Sequence, residues 1–312
     1  MVEEIVPYCK RCAADHLRRS KRICKSDKAK EPTLMGRIIA IANQKGGVGK
    51  TTTVVNLASS LASQKKKALV IDMDPQGNAS SGLGIPRSTS KTIYHALCGD
   101  IDVKECLIKG PLDNLDVLSA TTDLSGAEIE LVDAEARESK LKNLLAPLRS
   151  SYDYLLIDCP PSLGLLTLNS LTAADSVMVP LQCEYYAMEG LGHLMSTIDR
   201  VRRSLNTELR LEGILLTMFD GRNRLSHQVA EEVKKFFAAN VFKTVVPRNV
   251  RLSESPSFGK PVMLYDKTSS GSVAYTDLAK EIIKRDNAEK KAATQRLKEA
   301  EATATAASEA KA

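Results

Sequence analysis

Short apolar runs punctuate this chain at intervals: RIIAIAN (37–43), KALVIDMD (67–74), LDVLSAT (115–121), YDYLLID (152–158), SVMVPL (176–181), LEGILLTM (211–218) and VFKTVVP (241–247). Each has the length of a strand, and most lack the apolar–polar alternation of a half-exposed one, which marks strands buried on both faces. Between them lie longer stretches with helical spacing, TTTVVNLASSLAS at 51–63 and others at 124–149, 186–204, 223–239 and 274–285. The alternation predicts an α/β fold, a mainly parallel twisted sheet with helices on both faces, over one domain at 37–286.

The two ends read differently. Residues 1–36 are rich in Lys and Arg without periodicity and are expected to form a basic flexible arm. Met35, just before the first strand, is an alternative start. Residues 287–312 are rich in Ala, Lys and Glu with almost no large apolar side chain. Such a tail cannot bury a face and is expected to be disordered, at most transiently helical.

Composition narrows the classes. Hydrophobic residues make up 43% and charged residues 26% of the chain, the balance of an ordinary globular protein. Trp is absent and aromatic residues are 4%, which argues against stacking platforms for single-stranded nucleic acid. No apolar run approaches the roughly 20 residues of a membrane-spanning helix. Without an export signal, the seven Cys suggest reduced thiols in a cytoplasm. Cys9, Cys12, His16 and Cys24 are zinc-ligand types, but their spacing matches no zinc motif and free thiols are the expectation. The net charge of +6 sits at the ends. Lys and Arg outnumber Asp and Glu by nine to five in 1–36 and by seven to five in 284–312, and the remainder is balanced at 28 to 28. An anionic partner must therefore meet a local basic patch or the tails.

The first strand runs into NQKGGVGKTT, which opens a helix. Strand, Gly-rich loop, Lys-Thr and helix in this order make a phosphate-binding loop. Gly46, Gly47 and Gly49 let backbone N–H groups turn toward phosphate oxygens beside Val48, and the helix points its positive end at the same place. Lys50 would neutralise the terminal phosphates, and the Thr51 hydroxyl, beside Thr52, would ligate Mg²⁺. The loop departs from the standard formula in carrying Gln44 where the first Gly belongs and an additional lysine, Lys45. Three carboxylates directly follow apolar strands, Asp72 and Asp74 in VIDMDPQGN and Asp158 in YLLIDCPPSLG. Strand ends of a parallel sheet converge on one crevice, so the three are expected to share a metal–triphosphate site. Asp158 would be the acid that holds Mg²⁺, and Asp72 or Asp74 could orient water.

KGGVGKTT with its early lysine is similar to the deviant Walker A loop of the ParA/MinD ATPases. DMDPQGNASSGLG, DCPPSLGLLTLNSL, PLQCEYYAMEGL, GILLTMFDGRNRL and VPRNVRLSESPSFGKPV resemble the ParA/Soj branch in the same order, over about residues 37–285. The resemblance implies a P-loop ATPase with weak intrinsic activity that uses ATP and Mg²⁺. It implies an ATP-dependent homodimer in which Lys45 reaches across to the partner subunit's phosphates. It assigns water positioning to Asp74, support of Mg²⁺ to Asp72 and Asp158, a second switch to Pro160 through Gly164, and the nucleoside to Pro247, Arg248 and Asn249. It also implies binding to double-stranded DNA without sequence preference, with Arg222, Arg224, Arg248, Arg251 and Lys260 as candidate contacts. A ParB-like centromere-binding activator would stimulate hydrolysis in chromosome or plasmid segregation, at the nucleoid in the cytoplasm. A MinD-like membrane ATPase is the competing reading, and the lack of an apolar face at the C-terminal end counts against it. An ATP-dependent scaffold or transcriptional regulator is the non-enzymatic one. A nitrogenase-iron-protein type is disfavoured because Cys98, Cys106 and Cys159 lie outside that family's cluster phrases.

Overall fold

The computed structural model describes residues 35–309, and of 297–309 the backbone alone. The readings of residues 1–34, including Cys9, Cys12, His16 and Cys24, fall outside the described residues.

Seven strands form one sheet: β1 (Arg37–Ile41), β2 (Ala68–Asp72), β3 (Leu107–Lys109), β4 (Leu115–Leu118), β5 (Tyr154–Asp158), β6 (Ser176–Gln182) and β7 (Arg210–Thr217). Their order is β3-β4-β2-β5-β1-β6-β7. All neighbours are parallel except the short edge pair β3 and β4. Residues alternate between two cores, as the pleat requires. Ile38, Ala40, Leu69, Ile71, Leu155 and Ile157 face one core, and Ile39, Ile41, Val70, Leu156 and Met178 the other. That both sets are buried explains the unbroken apolar runs.

The second core is closed by α1 (Lys50–Ser63) and the last helix. α1 contributes Val54, Leu57, Ala58 and Leu61, one helical face at 0% exposure. The first core is closed by α3 (Ile93–Cys98), α4 (Leu124–Glu130), α5 (Lys140–Leu145), α6 (Leu165–Ala173), α7 (Ala187–Ser204) and α8 (Arg224–Phe237). Three short helices lie nearer the site: α2 (Asn78–Gly82), α9 (Val250–Glu254) and α10 (Val262–Tyr265). α11 (Ser270–Glu309) ends the described chain.

The structure departs from expectation in three elements. The stretch 124–149 is two short helices and two 3-10 turns, broken where Ala136 adopts φ 50°. VFKTVVP is no strand; it touches the sheet through isolated bridges from Val241 to Ile214 and from Pro247 to Phe219. The tail read as disordered continues the last helix to Glu309. Ala, Lys, Glu, Gln and Arg are strong helix formers, and a helix already nucleated by its packed first turns propagates at little cost. Residues 287–296 are exposed all round, so the expectation that they bury no face matches the structure.

Candidate functional site

The parallel register brings the predicted residues to one edge. Asp158 is the partner of Asp72 across β5–β2 and of Ile41 across β5–β1. The loop after β1, the acid ending β2 and the acid ending β5 are therefore adjacent at the carboxyl end of the sheet, beside the reversal of strand order at β1.

The loop is fastened on both sides. Asn43, buried, donates from Nδ2 to the Pro180 carbonyl at 2.7 Å and accepts from Lys45 N–H at 3.0 Å. Thr217 Oγ1 donates to the Val48 carbonyl at 2.8 Å. Gly47 and Gly49 have φ 72° and 91°, a backbone that other residues adopt at a cost. Lys50, buried at the start of α1, folds back under the loop, its Nζ 3.3 Å from the Lys45 carbonyl. Burial lowers its pKa, opposed by the charges of Asp158, Cys159 and Asp74.

The three carboxylates have unlike surroundings. Asp72 is fully buried and well bonded: Oδ2 accepts from Ser80 N–H at 2.8 Å and Ser80 Oγ at 2.7 Å, and Oδ1 from Asp74 N–H at 3.2 Å. Burial raises its pKa to about 6 despite the Ser80 bonds that pull it down. Asp74 lies in a turn, its Oδ1 accepting from Gln76 N–H at 3.0 Å and its carbonyl from Gly77 N–H at 2.9 Å. Asp158 is fully buried, and among the described residues neither carboxylate oxygen has a partner in hydrogen-bond geometry. Its pKa is raised well above the usual range by burial and then by the Asp72 charge, with Thr51 and Lys50 acting in the opposite direction. A buried carboxylate left unsatisfied behind Lys50 and Thr51 is suited to a cation. Asp72 accepts three hydrogen bonds and anchors the α2 turn, its Oδ1 carrying one of them.

Lys45 is half exposed and pairs with Glu184 of its own chain, just after β6. Beside it a cleft of ≈ 290 Å³ opens, lined by Gln182, Glu184, Met218, Asp220 and Arg248 among others. Of the three nucleoside candidates, Arg248 lines this cleft. Pro247 bridges to Phe219, and Asn249 caps α9, its Oδ1 accepting from Leu252 N–H at 3.3 Å.

The candidate DNA contacts Arg222, Arg224, Arg248, Arg251 and Lys260 are all exposed. Arg222 grips Asp220 through Nε and Nη2, each at 3.0 Å, and holds the Asp220 carboxyl down at about 2. Arg251 pairs with Glu254 at 2.9 Å and Asp266 at 3.3 Å. Sequence reasoning missed Ser80 and Glu184. Both lie in stretches that carry the resemblance, GNASSG and LQCEYY, but as an ordinary Ser and Glu they give no separate signal.

A family model described as an AAA domain matches residues 36–211. The chain is 59% identical over 253 residues to the chromosome partitioning protein ParA of Myxococcus xanthus, covering 81% of this chain and 89% of that protein. It is 57% identical over 249 residues to the sporulation initiation inhibitor protein Soj of Bacillus subtilis, covering 80% and 98%. Among solved structures, cobyrinic acid a,c-diamide synthase from Mycobacterium smegmatis with bound ADP and magnesium superposes with TM-score 0.69 at 38% identity, covering 79% of this chain and 93% of that one. The septum site-determining protein MinD of Pyrococcus horikoshii, complexed with Mg-ADP, gives 0.65 at 25% identity, covering 80% and 96%. With a seven-stranded sheet of P-loop topology, the signature loop in place and this degree of identity, the chain belongs to the ParA/Soj family of chromosome-partitioning P-loop ATPases.

Proposed function

We propose that this protein is a nucleotide-switched partitioning ATPase. It binds ATP with Mg²⁺ as a homodimer, holds duplex DNA without sequence preference in that state, and lets go when a ParB-like partner stimulates hydrolysis. The observation that carries the nucleotide half is the unpartnered Asp158 carboxylate beneath the phosphate loop.

Bound there, Mg²⁺ would neutralise charge on the phosphates. The Thr51 hydroxyl and Asp158 are the groups to hold it. N–H groups of Gly46 through Thr52 cradle phosphate oxygens, and Lys50, already desolvated, places its ammonium against them. Asp74, half-buried in a turn next to the same edge, orients the attacking water. Lys45 exchanges Glu184 for the phosphates of the second subunit, which makes the complete cation set conditional on dimerisation. An ATP that touches both subunits favours the dimer by mass action. Two basic surfaces held together bind DNA far better than one, so DNA affinity reports nucleotide state. Arg224, Arg248 and Lys260 supply cations to that surface, and Arg222 and Arg251 join it on leaving their own carboxylates. The protein then resides in the cytoplasm, on the nucleoid.

The experiment is binding to a random-sequence duplex at two salt concentrations with ATP, with ADP and without nucleotide. Binding with ATP alone, weakened by salt and abolished in Lys45→Ala, is expected. No binding in any state would remove the DNA half of the proposal and direct the search for a surface to lipid vesicles.

A further inference from the structure

The segment that follows Arg248 exposes more apolar surface than its cations explain. Val250 is 69% and Phe258 62% exposed, with Leu264 and Val273 also open to solvent. Phe258 is the aromatic residue among them, and it is rigidly mounted. It ends a 3-10 turn, Ser255–Phe258, with Pro256 in its first turn. The next residue, Gly259, has φ 60° and lies backbone to backbone against Gly84, whose φ is 78°. A Cβ on Gly84 would come within 2.9 Å of the Gly259 carbonyl oxygen, and one on Gly259 within 3.0 Å of the Gly84 Cα. No side chain fits between these strands of backbone. Val262 N–H donates to the Asn56 Oδ1 of α1 at 2.7 Å in a buried bond. The Tyr265 ring stands 5.0 Å from the Phe258 ring at a 31° tilt, and its hydroxyl donates to Glu254 at 3.2 Å. An aromatic ring held this way has little freedom left to lose on contact.

The exposed chemistry around it names the occupant. Ser253 of α9, Ser257 of the 3-10 turn, and Lys260 and Lys267 in the loops on either side of α10 are all exposed. Hydroxyls and ammonium groups suit a phosphodiester chain, and Arg251, although it bridges Glu254 and Asp266, adds a donor fork. Apolar side chains on basic surfaces pack against the sugars of a minor groove or between base steps.

We propose that Phe258 is a DNA-contacting residue, an apolar step that packs against the minor-groove edge of duplex DNA while Lys260 and Lys267 take the flanking phosphates. The inference rests on the DNA-binding reading above. Its mount adds a consequence, since Gly84 lies two residues past α2, whose Ser80 holds Asp72, and the ring therefore stands on a segment joined to the nucleotide edge.

A salt series on random duplex DNA with the full chain and ATP tests it. An apolar contact adds affinity without releasing counterions, whereas a lysine–phosphate contact contributes to the salt slope. Phe258→Ala should weaken binding by roughly tenfold at every salt concentration, the scale of burying part of an aromatic side chain, with the slope unchanged. Lys260→Ala should flatten the slope by about 1. Phe258→Glu, which sets an anion at the same place, should abolish binding, and Phe258→Leu should restore most of it. Melting midpoints should stay near wild type because the ring is exposed. Wild-type affinity in both Phe258→Ala and Phe258→Glu overturns the proposal, as does intact DNA binding combined with lost partner-stimulated hydrolysis, which would assign the ring to the protein partner. Failure of the DNA-binding reading itself looks different, because the wild type then binds no DNA with ATP.

Discussion

The two ends of the central sheet treat buried charge in opposite ways. At the amino end, Arg37 at the start of β1 donates to Glu212 at 2.5 Å and also pairs with Asp286 of α11. Tyr154 donates its hydroxyl to Asp286 at 2.5 Å, and Ser176 donates to Glu212 at 2.7 Å. Both of these carboxylates have a cation and a hydroxyl. At the carboxyl end, the Asp158 oxygens meet no hydrogen-bond partner among the described residues, although Lys50 and Thr51 lie near. One end is finished by the chain itself; the other is left for something to be bound. Strain and unpaired polarity that would be defects in a core are tolerated where they serve a site.

Removing the paired cation should have the largest effect. Arg37→Ala leaves two carboxylates facing each other with little solvent and is expected to cost about 3–5 kcal/mol, read from denaturant unfolding. A loss under about 1 kcal/mol would mean that the clasp is a surface pair in effect. A smaller loss should follow at the other end from Ser80→Ala. It deletes the Oγ bond to Asp72 at 2.7 Å and the Oγ that accepts from Ala120 N–H at 3.1 Å, for about 2 kcal/mol, and drives the Asp72 pKa further up, while the Ser80 backbone N–H still donates to Asp72. Unchanged stability would show that water replaces the hydroxyl at no cost.

The smallest effect should have the opposite sign. Asp158→Asn keeps the shape and removes the charge that burial penalises, so the nucleotide-free protein should gain on the order of 1 kcal/mol at neutral pH while losing Mg²⁺-dependent ATP binding. The pH dependence fixes the sign. A carboxyl whose folded pKa is raised holds its proton more tightly when folded. It therefore favours the fold at low pH, and that contribution is lost as pH rises from the unfolded value of about 4 through the folded value, about 6 for Asp72. The nucleotide-free wild type should lose stability across that window and beyond, and Asp158→Asn should flatten the loss. Equal slopes in the two proteins would mean that Asp158 is not the charge responsible.

This contrast was only half legible in the sequence. The carboxyl end announces itself locally: an apolar strand, then Gly49, Lys50 and Thr51, or an apolar strand, then Asp158. The amino end does not. Arg37 meets Glu212 and Asp286 across 175 and 249 residues, and nothing in RIIAIAN says that its first residue is a clasp. Sequence separation also hid Glu184 beside Lys45, 139 residues away. The misread 124–149 has a different cause. Helix-forming residues continue through Ala136, whose left-handed backbone no propensity anticipates. For VFKTVVP the apolar run was real, but its burial comes from packing beside β7, not from a ladder.

One feature ties the two ends together. α11 begins beside Asn249, which donates to Ser270 Oγ at 2.8 Å near the carboxyl edge, and passes Asp286 at the amino edge. It then continues to Glu309, 23 residues beyond, or about 35 Å at helical rise. The helix thus spans one face of the sheet from edge to edge and runs on beyond it as a handle. A fluorophore or surface tether fixed to that handle stands well clear of the phosphate loop, and yet it must turn whenever the body turns.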